Sequence, residues 1–199
     1  MADITIDLIR KLKELSGVGL TDAKNALVEA KGDFDKALEA MRKKGLTKAE
    51  KRGDRETREG VVDSYVHDGR IAAIVEMNCE TSFVAKTDEF KQLAHYMAMQ
   101  VASMNPMYVS MNDIPAKEVK KVRDEAEKKL KDDKKPADIK AKIIDGQVKK
   151  AFEDKVLMSQ VYILDDSKNV EEFIKGYIAK TGENITVGQF KRIELGVTE

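Results

Sequence analysis

Apolar residues in the first 45 positions recur at helical spacing. Leu8, Leu12 and Leu15 form one stripe, Ala23, Ala26, Leu27 and Ala30 a second, and Phe34, Ala37, Leu38 and Met41 a third. Each stripe follows the three-and-four step of a helix face, and three of them can close a small bundle. Gly17 and Gly19 break the chain between the first two helices, Asp33 is placed to cap the third, and Gly45 falls where a C-cap glycine belongs. Residues 46–60 contain almost no apolar group and mix both signs of charge. Such a segment cannot build a core, so it reads as a linker or a solvated helical extension. A basic nucleic-acid patch is the sharper alternative, but Glu50, Asp54, Glu56 and Glu59 nearly cancel its five cations.

The period then changes. Val61 to His67 and Arg70 to Met77 are runs of strand length around Asp68-Gly69, a strong hairpin signal. Thr87-Asp88-Glu89-Phe90 reads as a helix start, with Thr87 as N-cap and two acids in the first turn. The helix is predicted to run to about Met104, and its broad apolar content, from Phe90 and Leu93 through Met97 to Val101, predicts deep burial. Between hairpin and helix lies Asn78-Cys79-Glu80-Thr81-Ser82-Phe83-Val84-Ala85, a short loop with one aromatic among small and polar residues. From spacing alone Phe83 is either a core plug folded back on its own domain or an exposed wedge.

Pro115 and Pro136 each suit the first turn of a helix. Val119, Val122, Ala126 and Leu130 stripe the first, and Ala137, Ala141, Ile144, Val148 and Ala151 the second, predicting a helical hairpin over 115–152. It reads as a solvent-exposed arm with a narrow seam or as a contact for a partner. Leu157 to Leu164 reads as a strand, and Asn169 with Glu172 as a capping box for a helix striped by Val170, Phe173, Ile174, Tyr177 and Ile178. Ile185 to Leu195 closes the chain as a strand. The expected fold is therefore α+β. It has a three-helix bundle at 1–45, a charged linker at 46–60, and at 61–199 a core with an antiparallel sheet and the helical hairpin.

Composition narrows the function classes. The 199 residues carry 36 Lys and Arg against 36 Asp and Glu, so no overall field draws the protein to nucleic acid or an anionic membrane, and a protein partner is the expectation. Cys79 is the only cysteine; it excludes an intramolecular disulfide framework, fits a reducing cytosol, and is expected to be a half-buried small apolar residue. Met1 to Leu15 has no apolar stretch of signal-peptide length, and no run approaches the roughly 20 apolar residues of a membrane helix. A bacterial cytoplasmic location is expected. Asn184-Ile185-Thr186 matches a glycosylation sequon, which such a location makes a chance match.

The chain has no phosphate-binding loop, dinucleotide fingerprint, paired metal-ligand motif or nucleophile elbow. His95 has no partner ligand at i+4 or i−4, His67 sits at the hairpin turn, and Asp165-Asp166 falls in a turn context that favours side-chain bonding to backbone. No enzyme activity, cofactor or metal is expected.

The loop around Thr81-Ser82-Phe83-Val84 resembles the Thr-Asp-Phe-Val signature of the translation elongation factor Ts family, the nucleotide exchange factors of elongation factor Tu. Leu15-Ser16-Gly17-Val18-Gly19-Leu20-Thr21-Asp22-Ala23-Lys24, Val101 to Pro106, Asp166 to Val170 and Phe190 to Gly196 also resemble family segments, in family order. The resemblance implies a ubiquitin-associated-type (UBA-like) N-terminal bundle. It also implies a wedge at Thr81, Ser82, Phe83 and Val84 that enters the nucleotide domain of Tu and dislodges Mg²⁺, and a partner-binding loop at Gly17, Val18 and Gly19. Gln100 is implied as a further partner contact, and pairing of short family members implies a homodimer. Ser82 stands where the family usually has aspartate and Gln100 where histidine is frequent; both keep hydrogen bonding but remove a charge or a titratable ring. The runner-up is a bundle-based protein-binding adaptor in which Phe83 is a core residue, and the third reading is a ribosome- or RNA-associated protein using the charged segment.

Overall fold

The computed structural model describes residues 4–16, 19–130 and 135–197. The three N-terminal stripes form α1 (Ile6–Ser16), α2 (Leu20–Glu29) and α3 (Phe34–Glu50). They close on Leu12, Ala23, Ala26, Leu27, Ala37 and Met41, all buried. The bundle is as expected, but the end of α3 is not. Gly45 does not cap the helix; it is buried in mid-helix, and a Cβ there would lie 3.3 Å from the Ala179 Cβ. The helix runs on to Glu50 because the missing side chain lets it lie against the C-terminal helix.

Through that contact the charged segment is tied to the core. Ala49 joins the main apolar cluster. Arg52 donates to the Ile178 carbonyl at 3.2 Å, and the Thr57 and Thr186 hydroxyls lie 2.9 Å apart. A segment too polar to make a core is held by Ala49 and by the side chains of Arg52 and Thr57.

The sheet has the order β1 (Glu59–His67), β2 (Ile71–Cys79), β5 (Ile185–Glu194), antiparallel throughout. Asp68 and Gly69 both have positive φ, 49° and 66°, as the hairpin signal requires. Helix α5 (Asp88–Met104) covers one face, where Ala73, Val75, Met77 and Cys79 of β2 meet Phe90, Leu93, Ala94, Met97 and Val101. Thr87 caps α5 by accepting from the Phe90 N–H at 3.2 Å. Strand alternation sends Val62, Val66, Ile74 and Ile193 to the other face, where all four are exposed.

The helical hairpin forms as α6 (Ala116–Lys129) and α7 (Ala137–Phe152), with Ala126, Ile144 and Val148 in its seam and Arg123 paired to Asp145 at 2.7 Å across it. The strand expected over Leu157 to Leu164 is replaced by a 3-10 turn at Leu157–Ser159 and a two-residue strand β3 (Val161–Tyr162). The reason lies in the backbone donors: Leu157 and Met158 bond the Tyr108 and Val109 carbonyls and leave no ladder to extend. β3 pairs with β4 (Asp165–Asn169), an element the sequence reading missed. Within it, Asp165 accepts from the Ser167 N–H and hydroxyl at 3.1 and 2.6 Å, the side-chain bonding expected of a turn. Helix α8 (Val170–Thr181) begins at the expected Asn169/Glu172 capping box and ends on Gly182 at φ 80°.

Candidate functional site

At the end of β2, four residues leave the sheet and wind one helical turn, α4 (Ser82–Ala85). Thr81 is extended at φ −129° and caps the turn by accepting from the Val84 N–H at 3.5 Å. Ala85 is buried and Val84 packs against the main core. The following Thr87 hydroxyl donates to the Val84 carbonyl at 2.7 Å while it caps α5. With Val84 and Ala85 packed inward on a helical turn, Phe83 points outward and is 84% exposed. The core-plug alternative is thereby excluded.

The turn is anchored from the C-terminal side. Thr81 N–H donates to Glu183 Oε2 at 3.0 Å and the Thr81 hydroxyl to Glu183 Oε1 at 2.6 Å. The adjoining Glu80 carboxylate accepts from the Asn184 N–H at 2.6 Å and pairs with Arg55 at 3.3 Å. Asn184, almost wholly buried, sends its side-chain amide to the Gly53 and Arg55 carbonyls at 3.2 and 2.8 Å. Three distant segments thus converge on the base of the turn. A charged-group bond of this kind is stronger than a neutral one, and a fully satisfied network fixes geometry.

Sequence reasoning missed Glu183, Asn184 and Arg55. Asn184 drew notice only as a chance sequon, whereas its side chain ties residues 53–55 to the start of β5. The partner of Glu183 lies 102 positions away, so no local spacing reports it.

Cys79 is fully buried rather than half-buried, and its thiol donates to the Thr81 carbonyl at 3.3 Å. Burial first, and the Glu183 carboxylate second, push its pKa up. A thiol so placed is a packing group and a poor nucleophile.

Of the other residues singled out, Ser82 is half-buried at the first position of α4. Gly19 is the N-cap of α2, with open space where a Cβ would be; Gly17 and Val18 lie outside the described residues. Gln100, expected at the partner surface, is fully buried. Its amide donates to Gln160 Oε1 and the Val161 carbonyl at 3.2 and 3.1 Å and accepts from the Ile163 N–H at 2.9 Å. The polar atoms of the Gln100 side chain thus bond Gln160, the Val161 carbonyl of β3 and the Ile163 N–H of the turn after it, turned away from the surface of the chain. His95 lies 3.4 Å from Asp63, and Tyr65 lies edge-on to it with ring centroids 5.9 Å apart; the Tyr65 hydroxyl meets His67 at 3.0 Å. Among the described residues no three His, Cys, Asp or Glu side chains are grouped to hold a metal, and no helix is long and apolar enough to cross a membrane.

What this arrangement offers is one aromatic side chain presented to solvent on a hydrogen-bonded base. Comparison with known proteins agrees with the sequence resemblance. A family model described as Elongation factor TS matches residues 23–197. Elongation factor Ts of Thermotoga maritima is 50% identical over 195 residues, covering 98% of this chain and 97% of that protein. Elongation factor Ts of Fervidobacterium nodosum is 44% identical over 195 residues, covering 98% and 99%. The protein of the same name from Syntrophomonas wolfei is 43% identical over 194 residues, covering 97% and 91%. With half of its residues shared across nearly its whole length, the chain belongs to the elongation factor Ts family of translation elongation factors.

Proposed function

We propose that this protein promotes release of GDP from elongation factor Tu by inserting Phe83 into the Tu nucleotide domain and disturbing its Mg²⁺ site. The observation that carries the reading is the exposed ring of Phe83 on a turn clamped by Glu183 and flanked by the buried Ala85. An isolated exposed aromatic is unremarkable on a surface; one held on a rigid base is costly to keep in water and well placed to fill a pocket in a partner.

The mechanism needs no covalent chemistry. The factor binds the GTPase more tightly when nucleotide and Mg²⁺ contacts are poor, and linkage then requires nucleotide to weaken factor binding by the same ratio. A thousandfold faster release corresponds to about 4 kcal/mol. Burying one phenylalanine supplies roughly 1.5–3 kcal/mol before ordering costs. Phe83 therefore needs anchors elsewhere. The UBA-like N-terminal bundle, through the loop that ends at Gly19, grips the nucleotide domain from a second side, and the core sheet or the helical hairpin braces another domain of Tu.

The protein acts as a homodimer in the bacterial cytoplasm. The outward face of the sheet supports the dimer: Val62, Val66, Ile74 and Ile193 are exposed beside Glu76 and Lys191, an apolar strip with opposite charges that a second copy could cover by two-fold symmetry.

The test is the rate of fluorescent GDP release from purified Tu with the wild-type protein and with Phe83→Ala. Acceleration by the wild type that Phe83→Ala loses supports the reading. A folded wild-type protein without effect sinks it and favours the adaptor.

A further inference from the structure

Thr81 presents two donors in one direction, its backbone N–H and its hydroxyl, and each meets a different oxygen of the Glu183 carboxylate, at 3.0 and 2.6 Å. With the hydroxyl proton committed to Glu183, the lone pair of Thr81 Oγ1 faces the Val84 N–H and caps α4. Glu183 is itself fixed. Gly182 ends α8 in the left-handed region at φ 80°, the Glu183 N–H donates to Thr181 Oγ1 at 3.4 Å, and Asn184 beside it is locked to Glu80.

The chain of contacts therefore runs from the C-terminus of α8 through one carboxylate to the turn that carries Phe83. Of the groups around the turn, only Glu183 binds both Thr81 donors among the described residues. We infer that Glu183 is a positioning residue for nucleotide exchange, holding Thr81 so that Phe83 is presented in one orientation. This rests on the exchange reading above. The carboxylate contributes geometry: a bound and buried aromatic gains its energy only if it arrives aligned, and a mobile turn would pay the ordering cost at each encounter.

Glutamine at 183 is the informative change. Its amide oxygen accepts from only one of the two donors, its NH₂ can at best donate to Thr81 Oγ1 and turn the hydroxyl proton away, and both contacts lose the charge that strengthens them. Thr81→Val removes the hydroxyl from the other side, and Thr81→Ser keeps both donors.

Two measurements test the assignment. The first is GDP release from Tu titrated with each variant, at a temperature where circular dichroism shows every variant folded. Glu183→Gln and Thr81→Val are expected to lower the maximal release rate about tenfold with the half-saturating concentration within about twofold, and Thr81→Ser to restore near wild-type rates. The double variant Glu183→Gln/Thr81→Val is expected to be no worse than the more severe single one, since both break the same clamp. The second is amide hydrogen exchange over residues 81–86 of the free protein, expected to speed up in Glu183→Gln.

A wild-type maximal rate in Glu183→Gln, a defect confined to the half-saturating concentration, or unchanged amide exchange would overturn the assignment. If the wild type itself failed to accelerate release, the exchange reading would fall and the role assigned to Glu183 with it. The amide-exchange arm would then show separately whether the clamp exists.

Discussion

Gly45 of α3 packs against Ala179 of α8 so closely that a Cβ at position 45 would sit 3.3 Å from the Ala179 Cβ. This contact joins the N-terminal bundle to the core and lets α3 continue to Glu50. Gly45→Val is expected to force the two helices apart, lowering stability by about 1–3 kcal/mol and exposing residues 46–58 to faster protease cleavage. Urea unfolding and limited proteolysis check this; unchanged values for both would mean that the contact carries no weight in docking the bundle.

Phe83 and Phe90 are opposites in burial, the first 84% exposed and the second fully buried. Phe83→Ala is expected to leave unfolding free energy within about 0.5 kcal/mol of wild type while GDP release slows at least about tenfold. Phe90→Ala is expected to cost about 3–5 kcal/mol. Parallel denaturation curves and release assays separate the two.

Gln100 satisfies the Ile163 N–H and the Gln160 side chain from inside the core. Gln100→Ala leaves these groups and the Val161 carbonyl without this partner. A loss of about 2–4 kcal/mol is expected, at roughly 1–2 kcal/mol for each group that stays unsatisfied. A change below about 0.5 kcal/mol would mean that solvent replaces the amide.

The Asp165 carboxyl is held at about 2 against an ordinary 3.8, chiefly by its hydrogen bond with the Lys168 ammonium at 2.7 Å and then by Ser167. A folded-state pKa below the unfolded one gives stability that is complete above the unfolded value and fades as pH falls through the folded one. The stabilisation is thus present above about pH 4 and lost toward about pH 2. Asp165→Asn is expected to lower Tm at neutral pH slightly and to flatten its fall across that window, as read by thermal scans at stepped pH. A wild-type acid limb in the variant would remove Asp165 as a contributor.

Ile193 is 72% exposed on the open face of the sheet, in register with Ala72 of β2. If that face joins two copies, Ile193→Asp buries a charge at the interface and is expected to give a monomer that is otherwise folded. Sedimentation equilibrium decides it: dimeric Ile193→Asp would move the interface elsewhere, and a monomeric wild type would remove the dimer.

Most elements were legible because local physics fixes them. The bundle stripes, the Asp68-Gly69 turn, the Thr87 cap, the two proline-led helices and the Asn169/Glu172 box each depend on residues within one or two turns. The readings that failed depended on distant partners. Gly45 looked like a helix end until α8 was placed beside it, and Leu157 to Leu164 looked like a strand until Tyr108 and Val109 claimed its donors. The candidate site divides in the same way. Phe83 stood out by its setting in the chain, but Glu183 and Asn184 carried no local mark.

The sequence by itself determined the α+β class, the order of the main helices and of the three-stranded sheet's strands and, through motif resemblance, the family. Periodicity, capping and turn chemistry act over a few residues and can be read in one dimension. Only the tertiary structure decided that Phe83 faces solvent, that Gln100 faces the core, and that a carboxylate 102 positions away holds the Thr81 turn. Burial and long-range hydrogen bonds depend on which surfaces meet, and that is settled only when the whole core closes.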